Sequence, residues 1–191
     1  MLLSADILDP WFDAAEPYDA FVAGADMMQQ STWRERHGQL ALDDAQQTLV
    51  GGFTRSMRIL CLTGRWCGDC ALQGAALARI AEAADSRIDL RFLERNDATA
   101  ALAVASMINA GTRVPVTGLM AEDGAPAARM GDRTLSRYRS MAHKTLGDAS
   151  NVHAQPPGDP VRKVLGEVLQ EVERVQWMLR LSPRLRQAHG D

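Results

Sequence analysis

The run Arg58-Ile59-Leu60-Cys61-Leu62-Thr63-Gly64-Arg65-Trp66-Cys67-Gly68-Asp69-Cys70 leads directly into Ala71-Leu72-Gln73-Gly74-Ala75-Ala76-Leu77-Ala78-Arg79-Ile80-Ala81. Its first part is nearly continuously apolar, the pattern of a strand covered on both faces. The second part is rich in strong helix formers. Between them lies a tight turn carrying two cysteines. The order strand, turn, cysteine pair, helix is the setting in which a CxxC reads as a redox dithiol.

The two thiols are not equivalent. A helix N-terminus offers unsatisfied N–H groups and a positive dipole end, so Cys67 is favoured as a thiolate. Cys70 lies about one turn further in, within reach of the Cys67 sulfur but less exposed. Cys67 is therefore the expected attacking thiolate and Cys70 the resolving one, through a mixed disulfide. Trp66 offers an apolar platform beside them, and Gly68 is read as the residue that permits the tight turn. Asp69 suits a helix N-terminus but sets negative charge beside a forming thiolate, which predicts a less oxidising couple.

A structural zinc site wants four ligands. There is no second CxxC, and Cys61, His143 and His153 are the remaining candidates, one in an apolar strand and two in distant segments. No metal and no cofactor are expected. The four histidines read as surface residues, and none is marked as a hydrolytic base for Cys67.

Around this centre, 191 residues suffice for one ordinary domain with added helices. A composition 46% hydrophobic and 24% charged, with formal net charge -3, gives no nucleic-acid footprint. Residues 1–50 hold nine acids against Arg34 and Arg36, so the front is acidic and the remainder net basic; a solvated front is the simpler reading. Three cysteines are not a disulfide framework, the start lacks the basic and apolar regions of a secretory signal, and no run approaches a membrane span. The cytoplasm is the expected compartment, with no membrane partner.

Residues 1–17 read as a cap that docks through Trp11 and Phe12. One helix is predicted from Asp19 to about His37, with Met27 and Met28 on a face packed against the core. A further helix begins at Asp43 or Asp44 and ends at Gly51-Gly52. After the CxxC helix, Ile88–Leu93 reads as a strand with Ile88, Leu90 and Phe92 on one side, and Ala98–Ile108 as a helix. Thr112–Met120 is an extended segment opening at Pro115, a residue tolerated at the first position of a strand, followed by a hairpin at Glu122-Asp123-Gly124 and a return strand over Ala125–Met130. A short helix over Thr134–His143, a loop from Leu146 to Pro160 and an amphipathic helix after Pro160 complete the chain; the basic tail with Arg184 and Arg186 is expected to fray. The expected fold class is α/β: a mixed β-sheet flanked by helices, with an N-terminal helical extension and a long C-terminal helix. The expected parts are the extension (1–50), a central domain (51–145), and a loop with amphipathic helix (146–191) in the same globule.

Trp66-Cys67-Gly68-Asp69-Cys70 and Val114-Pro115-Val116, in this order of elements, resemble the thioredoxin superfamily over residues 50–145. The likeness is to bacterial thioredoxin-like proteins with a WCxDC motif. It implies that Pro115 is the family's cis-proline facing the dithiol, and that Val114 presents its backbone to an extended substrate segment. Gly131 falls near the family's glycine after the hairpin. Two departures stand out. Asp69 replaces the motif's proline, and Cys61 occupies the place of the family's buried aspartate, leaving Glu94 or Asp97 as the nearest substitutes.

The leading expectation is a thiol-disulfide oxidoreductase, acting as a disulfide reductase. Its partners would be a disulfide-containing protein or a small thiol substrate, with a reductase or thiol pool as reductant. A binding or adaptor module with a regulatory dithiol is one alternative, and thiol-dependent peroxide or methionine-sulfoxide reduction another. The oligomeric state stays open, a dimer through the last helix being one possibility.

Overall fold

A computed structural model describes residues 3–111, 113–150 and 158–191. Its centre is a four-stranded sheet of β1 (Met57–Thr63), β2 (Ile88–Glu94), β3 (Val116–Ala121) and β4 (Pro126–Met130), in the order β2-β1-β3-β4. β1 pairs parallel with β2 and antiparallel with β3; β3 pairs antiparallel with β4, with a bulge at Leu119/Met120. Four helices precede the sheet: α1 (Ala5–Ala14), α2 (Tyr18–Ala23), α3 (Met27–Gln39) and α4 (Asp44–Gly51). α5 (Gly68–Ala83) and α6 (Ala100–Ala105) connect strands, and α7 (Leu135–Leu146), α8 (Pro160–Leu181) and α9 (Pro183–His189) follow. This is the mixed, helix-flanked sheet with helical extensions at both ends that the sequence predicts.

β1 is apolar on both faces because both are buried. Ile59 and Cys61 point into the larger core with α3, α5 and α8, whereas Leu60 and Leu62 point into a smaller one with Leu8, Phe12 and Leu102. α5 is buried continuously from Cys70 to Ala78. Small residues make that possible: a Cβ at Gly74 would lie 2.6 Å from Trp33 Cζ3, so the helix and the Trp33 ring approach only because that position is glycine. α8 buries Val164, Leu165, Val168, Leu169, Val172, Val175 and Leu179 along one stripe.

The extension docks as expected in part. Phe12 is buried and Trp11 packs beside it. Glu16 exchanges two backbone hydrogen bonds with Phe92, covering the outer edge of β2. The Asp19–His37 segment, however, is two helices. The chain breaks at Gly24-Ala25-Asp26, and Asp26 caps α3 by accepting from Gln29 N at 2.8 Å. The break resets the helical phase, so Met27 and Met28 are 88% and 77% exposed rather than packed on the core. The acidic front is not wholly solvated either: Asp9, Glu16 and Asp43 pair with Arg58, Arg65 and Arg162.

Three other expectations change. The helix predicted over Ala98–Ile108 shortens to α6, because Met107 and Asn109 adopt positive φ before a 3-10 turn at Asn109–Gly111. Of the extended segment predicted over Thr112–Met120, β3 takes only the part after Pro115, which lies immediately ahead of the strand. The tail is a helix rather than a frayed end: Leu185 is buried, Arg184 pairs with Asp123, and Arg186 donates to the Asp191 carbonyl. Residues 151–157 of the predicted loop between Leu146 and Pro160, His153 among them, lie outside the described residues, as does Thr112.

Candidate redox site

β1 ends at Thr63, the chain turns through Gly64-Arg65-Trp66, and α5 begins at Gly68 with Cys67 as its N-cap. The Cys67 sulfur does what a capping oxygen usually does: it accepts from Cys70 N at 3.3 Å. Its thiol is lowered to about 7. The Cys70 thiol facing it is the largest cause; partial burial opposes, the N–H groups of Cys70 and Asp69 assist, and the Asp69 charge opposes. Cys70 is fully buried, and its thiol is pushed strongly up, by burial first and then by the Cys67 sulfur. Cys67 is half-buried, so the more acidic thiol is also the more accessible one. The two cysteines are both free thiols here.

The Val114-Pro115 bond is cis, and Val114 O lies 3.9 Å from the Cys67 sulfur, so the segment before β3 borders the dithiol as the sequence resemblance implies. Trp66 is 62% exposed, with its ring laid on Gly64: a Cβ there would fall 2.7 Å from Trp66 Cε2. Gly68 plays no conformational part. Its φ is not in the left-handed region and a Cβ would meet nothing within 4 Å, which corrects its reading as a turn residue.

Cys61 stands behind the site, wholly buried beside Thr117 Oγ1 at 3.5 Å; burial pushes its thiol up to about 12. It stays protonated and is no general base. The Thr63 hydroxyl is close enough to temper the shifts of Cys61 and Cys70, yet it makes no hydrogen bond of ordinary geometry. Glu94 is occupied: it accepts from Arg65 N at 3.2 Å and from the Arg65 guanidinium at 2.7 Å. Asp97 is exposed.

Four arginines that sequence reasoning did not assign a role build the surroundings. Arg133 Nε donates to Asp69 Oδ2 at 2.7 Å, and Arg137 donates to Asp69 Oδ1 at 2.8 Å. Arg133 also reaches Asp132, which Arg113 and Tyr138 hold in turn. These partners hold the Asp132 carboxyl below the ordinary range although its burial acts the other way. The Asp69 charge beside Cys67 is thus compensated on both oxygens. On the other side, Arg65 ties the loop to the extension, donating to Phe21 O at 2.8 Å and to Glu16 at 2.9 Å while lying over the Phe21 ring. Trp33 adds a hydrogen bond from its indole to Arg65 O at 3.0 Å. No sequence motif marks these arginines; only the recurrence of basic residues just after the hairpin hints at Arg133 and Arg137.

Cys67 opens on a groove of about 500 Å³ lined by Trp66, Asp69, Leu72, Arg36, Arg137 and Val161 among others. A second cavity of about 390 Å³ lies on the opposite sheet face, between Leu60, Leu102, Met120 and the β4 edge, away from the dithiol. Among the described residues no three His, Cys, Asp or Glu side chains gather as a metal site would require. No helix among them is long and apolar enough to cross a membrane.

A family model described as Thioredoxin matches residues 15–141. No curated protein matches the chain. The solved structures similar in fold include two that align over most of the chain. One is a Pseudomonas aeruginosa protein of unknown function, with TM-score 0.65 and 21% identity over 91% of this chain and 99% of that one. The other is an HIV epitope scaffold, with TM-score 0.62 and 20% identity over 87% of this chain and 97% of that one.

Proposed function

The chain belongs to the thioredoxin family, and on that premise we propose that it is a thiol-disulfide oxidoreductase working as a disulfide reductase through Cys67 and Cys70. The observation that carries this reading is the asymmetry of the pair: Cys67 is half-accessible with its thiol lowered to about 7, while Cys70 is buried and held protonated.

Cys67 Sγ, as thiolate, attacks one sulfur of a substrate disulfide. An S–S bond forms to Cys67, the substrate's bond breaks, and one substrate thiolate leaves. Burial, the largest cause of the raised Cys70 thiol, stays in place, but Cys67 is now neutral, so its charge no longer adds to that shift. Cys70 attacks Cys67 Sγ, the Cys67–Cys70 disulfide forms as the bond from Cys67 to the substrate breaks, and the Cys70 proton passes to the departing sulfur, which leaves as the second substrate thiol. The dithiol is oxidised by two electrons and the substrate reduced by two; an external thiol or reductase restores the starting state. In this scheme the relief of Cys67's charge takes over part of the work for which the family uses a buried carboxylate. Val114, beside the attacking sulfur, receives the substrate backbone. The segments 1–50 and 146–191 belong to the same globule as the central 51–145 unit and shape the surface around the dithiol.

The test is turnover of a protein disulfide by wild type, Cys67→Ser and Cys70→Ser. Both variants should lose turnover, and only Cys70→Ser should accumulate a mixed disulfide with its substrate. Equal turnover in all three overturns the proposal.

A further inference from the structure

The groove at Cys67 has an unusual charge arrangement. Its lining carries three arginines, Arg36, Arg133 and Arg137, against one carboxylate, Asp69. Arg133 and Arg137 are spent on that carboxylate, whose side chain is only 10% exposed. Arg36 is different. Its guanidinium donates to the neutral Gln39 Oε1 at 2.8 Å and meets no carboxylate among the described residues. The neighbouring acids are engaged elsewhere: Glu35 accepts from the Gln39 amide on the exposed side of α3, and Asp159, before Pro160, turns to the N–H groups of Val161 and Arg162. An arginine half-buried at the rim of a groove, with open donors, is a receptor for a carboxylate. Trp66, Leu72 and Val161 give the same groove apolar walls for the carbon chain between a carboxylate and a sulfur.

We propose that the preferred substrates are disulfides bearing a carboxylate near the sulfur, and that Arg36 binds this carboxylate while Cys67 attacks. The inference rests on the exchange reading above and names its substrate class. The chemistry is unchanged: Cys67 bonds to the sulfur on the carboxylate-bearing half, the other half leaves as a thiolate, and Cys70 displaces the first half as a thiol. The cationic groove also draws an anionic substrate in from solution, an effect that falls with ionic strength.

The test compares dithiodipropionate (dianionic), bis(hydroxyethyl) disulfide (neutral) and cystamine (dicationic), with dithiothreitol as the reductant. Each rate is divided by that of the uncatalysed reaction with dithiothreitol. Wild type should favour the dianion over the neutral compound and disfavour the dication, with the preference shrinking in high salt. Arg36→Gln should lower the dianion-to-neutral ratio of kcat/KM about fivefold, the rate equivalent of one part-exposed ion pair; Arg36→Lys should keep part of it. Disulfide-linked peptides with Asp or Asn beside the cysteine separate the sources. An Asp preference lost in Arg36→Gln places the carboxylate in a polypeptide, and no such preference beside a dianion preference places it in a small molecule. Equal normalised rates for all three compounds, or a ratio untouched by Arg36→Gln, overturn the inference while leaving exchange intact. A protein that reduces none of the three overturns the exchange reading and the inference together.

Discussion

The Asp69 carboxylate meets the Arg133 guanidinium at 2.7 Å across 64 residues of sequence, and Arg137 takes its other oxygen. A motif residue that by itself works against the Cys67 thiolate is therefore largely neutralised by two cations, Arg133 just ahead of α7 and Arg137 in its first turn. Asp69→Asn removes the opposing charge, leaving Arg137 without its carboxylate and Arg133 with Asp132 alone. The Cys67 thiol should fall below about 7 and the reduction potential should rise. The expected gain is about 0.5–1 kcal/mol, or about 10–20 mV. Arg137→Gln should move both quantities the opposite way. Thiolate absorbance against pH and equilibration in a thiol redox buffer measure them; an unchanged or lower potential in Asp69→Asn refutes the coupling.

Alkylation of the reduced protein should follow the Cys67 titration. The rate should climb with pH, reach half its limit at about 7, and level off well below the ordinary cysteine value. In Cys70→Ser the midpoint should shift upward, because the facing thiol is the largest lowering influence. The stability sign follows from the same depressed value. Between the folded value of about 7 and the higher unfolded one, the unfolded state binds more protons, so stability rises with pH across that window and the contribution is lost as pH falls through 7. Denaturant midpoints of the reduced protein taken across the window check this.

Arg65 gathers Phe21 O, Glu16, Glu94 and the Phe21 ring onto one guanidinium at 18% side-chain exposure. Arg65→Leu leaves the exposed Glu16 and the Phe21 carbonyl without this donor and Glu94 with the backbone N–H of residue 65 alone, at a cost of about 2 kcal/mol. Arg65→Lys should recover little, since a single ammonium cannot span three acceptors in a plane. Urea unfolding gives the cost, and hydrogen exchange should show lost protection in α2, whose carbonyl the arginine holds. A Lys variant as stable as wild type sinks this account.

The legible parts of this molecule are those written locally. β1, the CxxC and α5 declare themselves within one stretch because an apolar run, a helix start and a cysteine spacing are local signals. Pro115 was legible only through resemblance, since nothing in its own segment says that it returns to Cys67. The counter-ions of Asp69 were not legible, because ion pairs across more than sixty residues leave no periodicity behind. Met27 and Met28 misled for another reason: their spacing suits one long helix, but the Asp26 cap restarts the helix and turns them to solvent. The fraying predicted for the tail failed because its one buried apolar residue, Leu185, reaches the core, Arg184 finds Asp123 in the hairpin turn, and Arg186 closes on the tail's own Asp191.

Gly74 and Gly68 lie on one helix and should respond oppositely to the same substitution. At Gly74 an added Cβ falls 2.6 Å from the Trp33 ring and 3.1 Å from Phe92, inside the fully buried aromatic cluster that joins α3 to the sheet. Neither ring has room to retreat, so Gly74→Ala should destabilise by about 1–3 kcal/mol despite the better helix propensity of alanine. It should also perturb the Trp33 hydrogen bond to Arg65 O, and with it the loop ahead of Cys67. At Gly68 the added Cβ meets open space in the first turn, and the backbone already has ordinary dihedrals. Gly68→Ala should therefore be neutral or stabilising, by up to about 1 kcal/mol. Denaturant midpoints of the two variants decide the matter, with tryptophan fluorescence reporting displacement of Trp33. If Gly68→Ala proves the more damaging of the two, that glycine has a conformational duty absent from this geometry, and the packing account of Gly74 loses its contrast.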